Sequence, residues 1–170
     1  MKTLKSKNQG FSLLELLLYI AILSVISVVL ATAFISLNKG RAQAEARIEV
    51  NSNIRFVVER ITQDINDASS VTLPILGSPS SSLSLIVGGQ SVVYSVSSGV
   101  LQRTFGTNPS ESITSSSVIA DPPTFTMIQN FNSVLVATTT NIQTILNIKY
   151  NSASPDWNYS TNIKSSASLR

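Results

Sequence analysis

The 170-residue chain contains neither cysteine nor histidine, and only 12% of its residues are charged, against about 25% in ordinary globular domains. The missing residue types exclude Ser-His and Cys-His nucleophiles, zinc fingers, CxxC redox couples and disulfides. Acidic residues are also scarce, and those of the second half, Glu111, Asp121 and Asp156, lie too far apart in sequence to form one calcium-binding loop. We therefore expect no enzymatic activity, no metal site and no cofactor.

The positive charge is concentrated at the N-terminus. The formal net charge is +3, and Lys2, Lys5 and Lys7 lie within the first seven residues. The remaining basic residues equal the nine acidic residues in number. Because nucleic-acid binding needs many clustered cations, we predict no nucleic-acid partner.

A long uncharged run follows the basic segment. No charged residue occurs from Leu16 to Asn38, and most of the side chains are apolar. At ~1.5 Å per residue this run forms a helix of about 34 Å, which spans a bilayer core. The positive-inside rule predicts a cytoplasmic N-terminus and one crossing of the cytoplasmic membrane, although Lys39 and Arg41 beyond the run weaken the charge asymmetry.

Glu15 interrupts the apolar segment, which begins at Phe11. A carboxylate within a membrane segment costs about 2.5–3.5 kcal/mol on insertion scales, and such groups are usually retained for a partner. The alternative is that Glu15 lies at the level of the lipid headgroups and reaches water. The residue type alone leaves both interpretations open.

The sequence KSKNQGFSLLELLLYIAIL resembles the N-terminus of type IV prepilins and type II secretion pseudopilins, with Gly10, Phe11 and Glu15 at the family's spacing. The resemblance implies that a prepilin peptidase cleaves between Gly10 and Phe11 and methylates the new amine of Phe11. It also implies that Glu15 pairs with this amine on a neighbouring pilin subunit. The implied partners include membrane lipid, other pilin or pseudopilin subunits, and an assembly platform protein with its ATPase.

Two alternatives remain at this point. Ala31-Thr32-Ala33 provides a small-x-small cleavage pattern for an ordinary signal peptide, and the mature chain would then begin at Phe34. The apolar segment is longer than a normal signal-peptide core of about 7–15 residues, and it contains Glu15. The second alternative is a single-pass, membrane-anchored extracellular binding module whose N-terminus only provides the anchor.

Beyond the apolar run, residues 39–70 are predicted to continue the helix. Apolar residues recur at spacings of three and four and form one stripe: Val50, Ile54, Val57 or Val58, Ile61, Ile65 and Ala68. Most of the charge of this segment belongs to other positions: Arg47, Glu49, Arg55, Glu59, Arg60, Asp64 and Asp67. The stripe needs a sheet to cover it.

The composition changes after residue 70, where all six prolines and five of the seven glycines occur. Strands are predicted at 83–87, 92–96 and 100–105 as a meander, at 124–128 and 133–136, and at 142–150 and 159–169 as a hairpin. The serine-rich tracts 78–82 and 110–117 are predicted to be flexible loops. Trp157 and Tyr159 either pack within the hairpin or form an aromatic binding patch.

These patterns predict an α+β, pilin-like fold in which a long N-terminal helix packs on a small antiparallel β-sheet head. The predicted divisions are a basic leader (1–10), a transmembrane and assembly helix (11–38), an amphipathic helix (39–70) and the head (71–170).

A second resemblance concerns the region where the helix passes into the head. The helix ends in an acidic stretch, and the following strands carry Tyr94 and then Arg103, which is similar to J-type minor pseudopilins and W-type minor pilins. Major pilins usually have a proline and a glycine in the membrane half of the helix, where this chain has Thr32 and Ser24. This departure is tolerable in a minor pilin, and the resemblance to J-type and W-type proteins implies a minor subunit.

Overall fold

A computed structural model of the chain describes residues 12–133 and 137–169. The chain divides into two compact units, Met1–Arg41 and Ala42–Arg170. Helix α1 covers Leu13–Asp67 and contributes residues to both units. The predicted cleavage residues Gly10 and Phe11 lie outside the described residues.

Helix α1 has no proline and a single glycine, Gly40, so no residue type breaks its backbone hydrogen bonds. In its second half, one side of the helix is buried through Val50, Ile54, Val57, Ile61 and Ile65, which confirms the predicted apolar stripe. The helix ends at Asp67, short of the predicted limit at residue 70. The chain enters the first strand at the next residue, Ala68.

The first sheet contains five antiparallel strands in the order β1-β2-β3-β4-β5. They are β1 (Ala68–Leu73), β2 (Leu83–Val87), β3 (Gln90–Ser97), β4 (Val100–Phe105) and β5 (Glu111–Ser112). The meander of β2, β3 and β4 confirms the prediction. Both of its two-residue loops, Gly88-Gly89 and Ser98-Gly99, have positive φ angles at both positions, as the turns that match strand twist require.

The second sheet is built around a long central strand. Its strands are β6 (Val118–Ala120), β7 (Thr124–Asn132), β8 (Ala137–Tyr150) and β9 (Ser160–Ser168). β8 pairs with the other three, and every pairing is antiparallel. The predicted strands at 124–128, 142–150 and 159–169 are confirmed in substance, whereas most of the predicted strand at 133–136 lies outside the described residues.

The serine-rich tract 78–82 is a loop between β1 and β2, as predicted, with a backbone bridge to β7, whereas the loop prediction for 110–117 is wrong in part because that tract contains a strand and buried residues. Ser80 and Phe125 exchange two backbone hydrogen bonds of 2.9 and 2.8 Å. Residues 110–117 include β5, and Ile113 and Thr114 are buried. The Thr114 hydroxyl accepts a hydrogen bond of 3.1 Å from the backbone N–H of Leu101. Strands β1, β5 and β6 are also absent from the sequence prediction.

One hydrophobic core joins the second half of α1 to both sheets. Its largest fully buried side chains are Tyr94 of β3 and Phe125 of β7. Hydrogen bonds also join α1 to Ser115. The Ser115 backbone N–H donates to Asn53 Oδ1 at 2.9 Å, and the Ser115 hydroxyl donates to Glu49 Oε1 at 2.7 Å. The observed fold is therefore the predicted α+β class, with a helix packed on antiparallel sheets.

Candidate functional site

The N-terminal candidate site is built on the first turns of α1. Every described residue from Ser12 to Arg41 is exposed, including all of the large apolar side chains in this segment. Glu15 lies in the first turn of the helix, where the unsatisfied backbone N–H groups favour a negative charge. No ion pair or side-chain hydrogen bond joins Glu15 to another described residue.

The hydroxyl groups further along this segment bind to the helix itself. Ser24 and Thr32 donate to the carbonyl oxygens of Ala21 and Val29 at 2.8 and 2.9 Å, and Ser27 donates to the carbonyl of Leu23 at 2.8 Å. These bonds satisfy the hydroxyls without water, so they are compatible with apolar surroundings. Glu15 is the only charged residue between Ser12 and Asn38, and it is not satisfied in this way.

A helix of the described chain meets the length and composition needed to cross a membrane, and its apolar part is near the N-terminus. None of that apolar part is buried. A soluble core helix would bury such a surface, because exposed apolar patches of this extent are rare on soluble monomers. The exposure therefore fits a membrane-anchored protein.

A second polar site lies where Asp64 of α1 meets strands β3 and β4 of the head. The Asp64 carboxylate accepts hydrogen bonds from Arg103 Nε at 2.7 Å, Arg103 Nη2 at 3.1 Å and the Tyr94 hydroxyl at 2.5 Å. Tyr94 and Arg103 are cross-strand partners, so both side chains leave the same face of the sheet. We call these three residues the Asp64 cluster.

The Asp64 cluster is buried. Asp64 is 4% exposed and Tyr94 is fully buried, and the Arg103 side chain is 10% exposed. Burial, followed by the hydrogen bond to Asp64, raises the pKa of Tyr94 well above its ordinary value. The hydrogen bond to Asp64 raises the pKa of Arg103. Tyr94 and Arg103 therefore keep their protons near neutral pH, and the cluster is suited to holding the helix on the sheet rather than to acid–base chemistry.

The sequence pattern singles out Tyr94 and Arg103, whereas Asp64 is grouped there with the other charged positions of the helix. A signal was present in the spacing. Asp64 follows Val57 by seven residues and Val50 by fourteen, and residues spaced by two helical turns lie on the same face. An acidic residue in phase with an apolar stripe predicts a buried carboxylate with a partner.

The two aromatic residues near the β8–β9 connection have partners within the chain. The Trp157 ring stacks on Tyr150 with centroids 5.4 Å apart. The Arg47 guanidinium lies over the Tyr159 ring at 5.5 Å. Both rings are half-buried. This arrangement favours packing of the hairpin over the alternative of an aromatic binding patch.

The described residues contain no group of three or more histidine, cysteine, aspartate or glutamate side chains that would hold a metal ion. The carboxylate of Asp121 is instead paired with Lys149 at 3.4 Å and accepts a hydrogen bond of 2.9 Å from Asn147.

Comparison with known proteins gives a match to one family model, which covers a segment near the N-terminus. Residues 5–31 match the prokaryotic N-terminal methylation motif. No curated protein and no solved structure matches the chain. The matched segment contains Gly10, Phe11 and Glu15, and it continues into the exposed apolar part of α1. The motif, the apolar helix and the α+β head together support a type IV pilin-like protein, and the motif implies processing by a prepilin peptidase and assembly with other pilins.

Proposed function

We propose that the protein is a minor pilin or pseudopilin, a structural subunit of a type IV pilus-like filament or of a type II secretion pseudopilus. The apolar part of α1 stores it in the cytoplasmic membrane, with the basic leader in the cytoplasm and the head in the periplasm or outside the cell. A prepilin peptidase cleaves it after Gly10 and methylates Phe11. The observation that carries this proposal is the uninterrupted exposure of α1 from Leu13 to Arg41, within the methylation motif and directly after it.

Cleavage creates the positive group that can pair with Glu15. Hydrolysis of the bond after Gly10 leaves a positive amine on Phe11, and methylation keeps the nitrogen basic. When helices leave the lipid and pack together, an unpaired carboxylate in their apolar bundle costs several kcal/mol, roughly as any unpaired buried ion does. Glu15 of one subunit therefore pairs with the Phe11 amine of its neighbour. A subunit that enters in the wrong axial register leaves both charges unpaired, so the pair selects the register.

A minor subunit of the J or W type is the finer assignment that we propose. The support is the acidic end of α1 and the Tyr94 and Arg103 positions on the strands that follow, whose side chains both bind Asp64. The membrane half of α1 also contains no proline. An assembly platform protein and its ATPase would lift such a subunit from the lipid into the filament.

Replacement of Glu15 tests the filament assignment. Glu15→Ala and Glu15→Gln should both reach the membrane in normal amounts, because each removes a charge that opposes insertion. Both should be lost from the sheared filament fraction of the native host or of a host with the matching assembly system. Ser27→Ala is the matched control, since Ser27 lies on the same helix and its hydroxyl donates to the Leu23 carbonyl, and it should be incorporated normally.

The N-terminus of the membrane-extracted protein tests processing separately. Intact mass and N-terminal sequencing should give a methylated Phe11 in cells that contain the peptidase, and Met1 in cells that lack it. A mature chain beginning at Phe34 would identify an ordinary signal peptide. Normal incorporation of Glu15→Ala would contradict the role of Glu15 in assembly, and absence of the wild-type chain itself from the filament fraction would favour the anchored binding module.

A further inference from the structure

Strand β9 is the outer strand of the second sheet. It pairs with β8 over nine consecutive residues, Ser160–Ser168. Among the described residues, no strand pairs with its other side. We call this unpaired side the β9 edge.

The hydrogen bonds at the two ends of β9 determine which residues face outward. The Tyr150 N–H donates to the Tyr159 carbonyl at 2.8 Å, and the Leu169 N–H donates to the Thr140 carbonyl at 2.9 Å. Because bonded residues alternate along an antiparallel pair, the odd-numbered residues of β9 bond to β8. The N–H and C=O groups of the even-numbered residues therefore point away from the sheet: Ser160, Asn162, Lys164, Ser166 and Ser168.

Strand β1, an outer strand of the first sheet, is protected by irregular pairing and by a proline, whereas β9 has only a central lysine, Lys164. β1 has two register shifts within six residues, and Pro74 follows it directly. Such irregularities and prolines are common means of preventing a further strand from pairing. The nine pairs of β9 with β8 contain no irregularity, and β9 contains no proline. The β9 edge is therefore a regular template for one more strand.

The charge of Lys164 restricts which residue an added strand can place beside it. The register places Thr124, Ile145 and Lys164 in one row across β7, β8 and β9, so a fourth strand would put a residue directly beside Lys164. Lys164 is exposed, and it makes no ion pair with any residue in the described part of the chain. A second copy in full antiparallel overlap would place Lys164 opposite Lys164, and like charges in that position are destabilising.

We propose that the β9 edge binds an extended segment of a different protein by strand addition, with an aspartate or glutamate of that segment beside Lys164. The backbone groups of the five outward-facing residues supply the hydrogen bonds, and Lys164 sets the register and the preference for an acidic partner. This inference does not rest on the proposed filament function, because it concerns only the head.

Amide hydrogen exchange measured by NMR on the full chain in detergent micelles tests the proposal. In the free protein, the odd-numbered amides of β9 should exchange slowly and the even-numbered amides rapidly. The probe is a blocked nine-residue peptide of alternating threonine and valine with a central glutamate. At about ten times its Kd it should slow the even-numbered amides roughly tenfold. A peptide with a central lysine should bind more weakly.

Two variants separate the backbone contribution from the charge contribution. Ser166→Pro removes one outward N–H without removing a bond to β8, and it should weaken peptide binding, whereas Ser166→Ala keeps the N–H and should bind normally. Lys164→Glu should reverse the preference between the two peptides. Equal binding of both peptides, or no change in the even-numbered amides, would overturn the proposal. Protection that grows with protein concentration in the absence of peptide would identify a second copy as the occupant instead and would also overturn it.

Discussion

At the level of single residues, the Asp64 cluster is the strongest polar link between α1 and the first sheet. A buried pair of charges often adds little net stability, because both charges must leave water, but removing one partner leaves the other uncompensated. Asp64 accepts all three hydrogen bonds of the cluster. Its loss would leave the Arg103 guanidinium without its carboxylate acceptor, and it would leave the Tyr94 hydroxyl with only the Arg60 carbonyl oxygen, 3.4 Å away.

Asp64→Ala should therefore lower the free energy of unfolding of the head by about 3–5 kcal/mol. The matched control is Asp67→Ala, an exposed acidic residue three positions later on the same helix, which should change it by less than about 0.5 kcal/mol. Denaturant titration followed by near-ultraviolet circular dichroism measures both. Equal effects of the two substitutions would contradict a structural role for the cluster.

The raised pKa of Tyr94 predicts a loss of stability at alkaline pH. In the unfolded chain a tyrosine ionises near pH 10, whereas burial and the Asp64 carboxylate keep Tyr94 protonated in the folded state. Its contribution is fully present below pH 10, and above that pH ionisation favours the unfolded state. The free energy of unfolding should then fall by about 1.4 kcal/mol per pH unit from this residue.

Comparison of the wild type with Tyr94→Phe isolates that contribution, since the other titrating groups are common to both proteins. Denaturant titrations at several pH values from 8 to 11 should give parallel stabilities up to about pH 10 and convergence above it. A constant difference across the whole range would contradict the prediction.

At the level of elements, the two hairpin loops of the first sheet provide a matched pair of glycines. Gly89 and Gly99 occupy the second loop position in each hairpin, with φ angles of +81° and +78°. A side chain at Gly89 would meet no atom within 4 Å, whereas a Cβ at Gly99 would lie 2.9 Å from Ile119 Cγ2. Both positions carry the same backbone strain, and only Gly99 adds a steric contact.

Gly89→Ala should accordingly lower the free energy of unfolding by about 1–2 kcal/mol through the left-handed backbone alone. Gly99→Ala should cost more, because Ile119 must move, and the added cost falls within the range of about 1–3 kcal/mol for overpacking. Thermal and denaturant unfolding of the two variants measures the difference. Equal destabilisation by Gly89→Ala and Gly99→Ala would mean that the Ile119 side chain moves aside without lowering the free energy of unfolding.

The elements that were predicted most clearly are those in which a helical or strand pattern repeats over many residues. The stripe of α1 repeats from Val50 to Ile65, and the strand at 142–150 alternates between buried and half-buried residues through most of its length, so local sequence was sufficient. Strands β5 and β6 have two and three residues, which is too short for any period. β1 was missed because it begins directly after Asp67 and its pairing with β2 is irregular.

The same distinction applies to the candidate sites. The Gly10, Phe11 and Glu15 spacing is local, and it was sufficient to predict the motif. The Asp64 cluster joins residues that are 30 and 39 positions apart. No local pattern contains that contact, because it depends on how the first sheet packs on the helix.

At the level of the whole molecule, the two units differ in what they bury. All of the buried side chains among the described residues belong to Ala42 or to later positions. The exposed large apolar side chains of α1 are concentrated from Leu13 to Leu37. Stability of the head and retention in a membrane therefore depend on different parts of a single helix, and each can be altered without the other.

This division predicts that a fragment comprising Ala42–Arg170 folds without detergent. It keeps every buried residue of the core, and it omits the segment that is exposed and apolar. A fragment beginning at residue 55 is the matched control, because it also omits Val50 and Ile54, which are 0% and 3% exposed. Burial of each of these side chains contributes about 1.5–3 kcal/mol, a substantial share of a total stability of roughly 5–15 kcal/mol.

The longer fragment should unfold cooperatively, with a midpoint within a few degrees of that of the head in the full chain. The shorter fragment should unfold at a much lower temperature or lose its cooperative transition. Circular dichroism and calorimetry on both fragments measure this. If the longer fragment were to collapse without a cooperative transition, the head would depend on the apolar segment for its stability, and the assignment of that segment to membrane storage alone would fail.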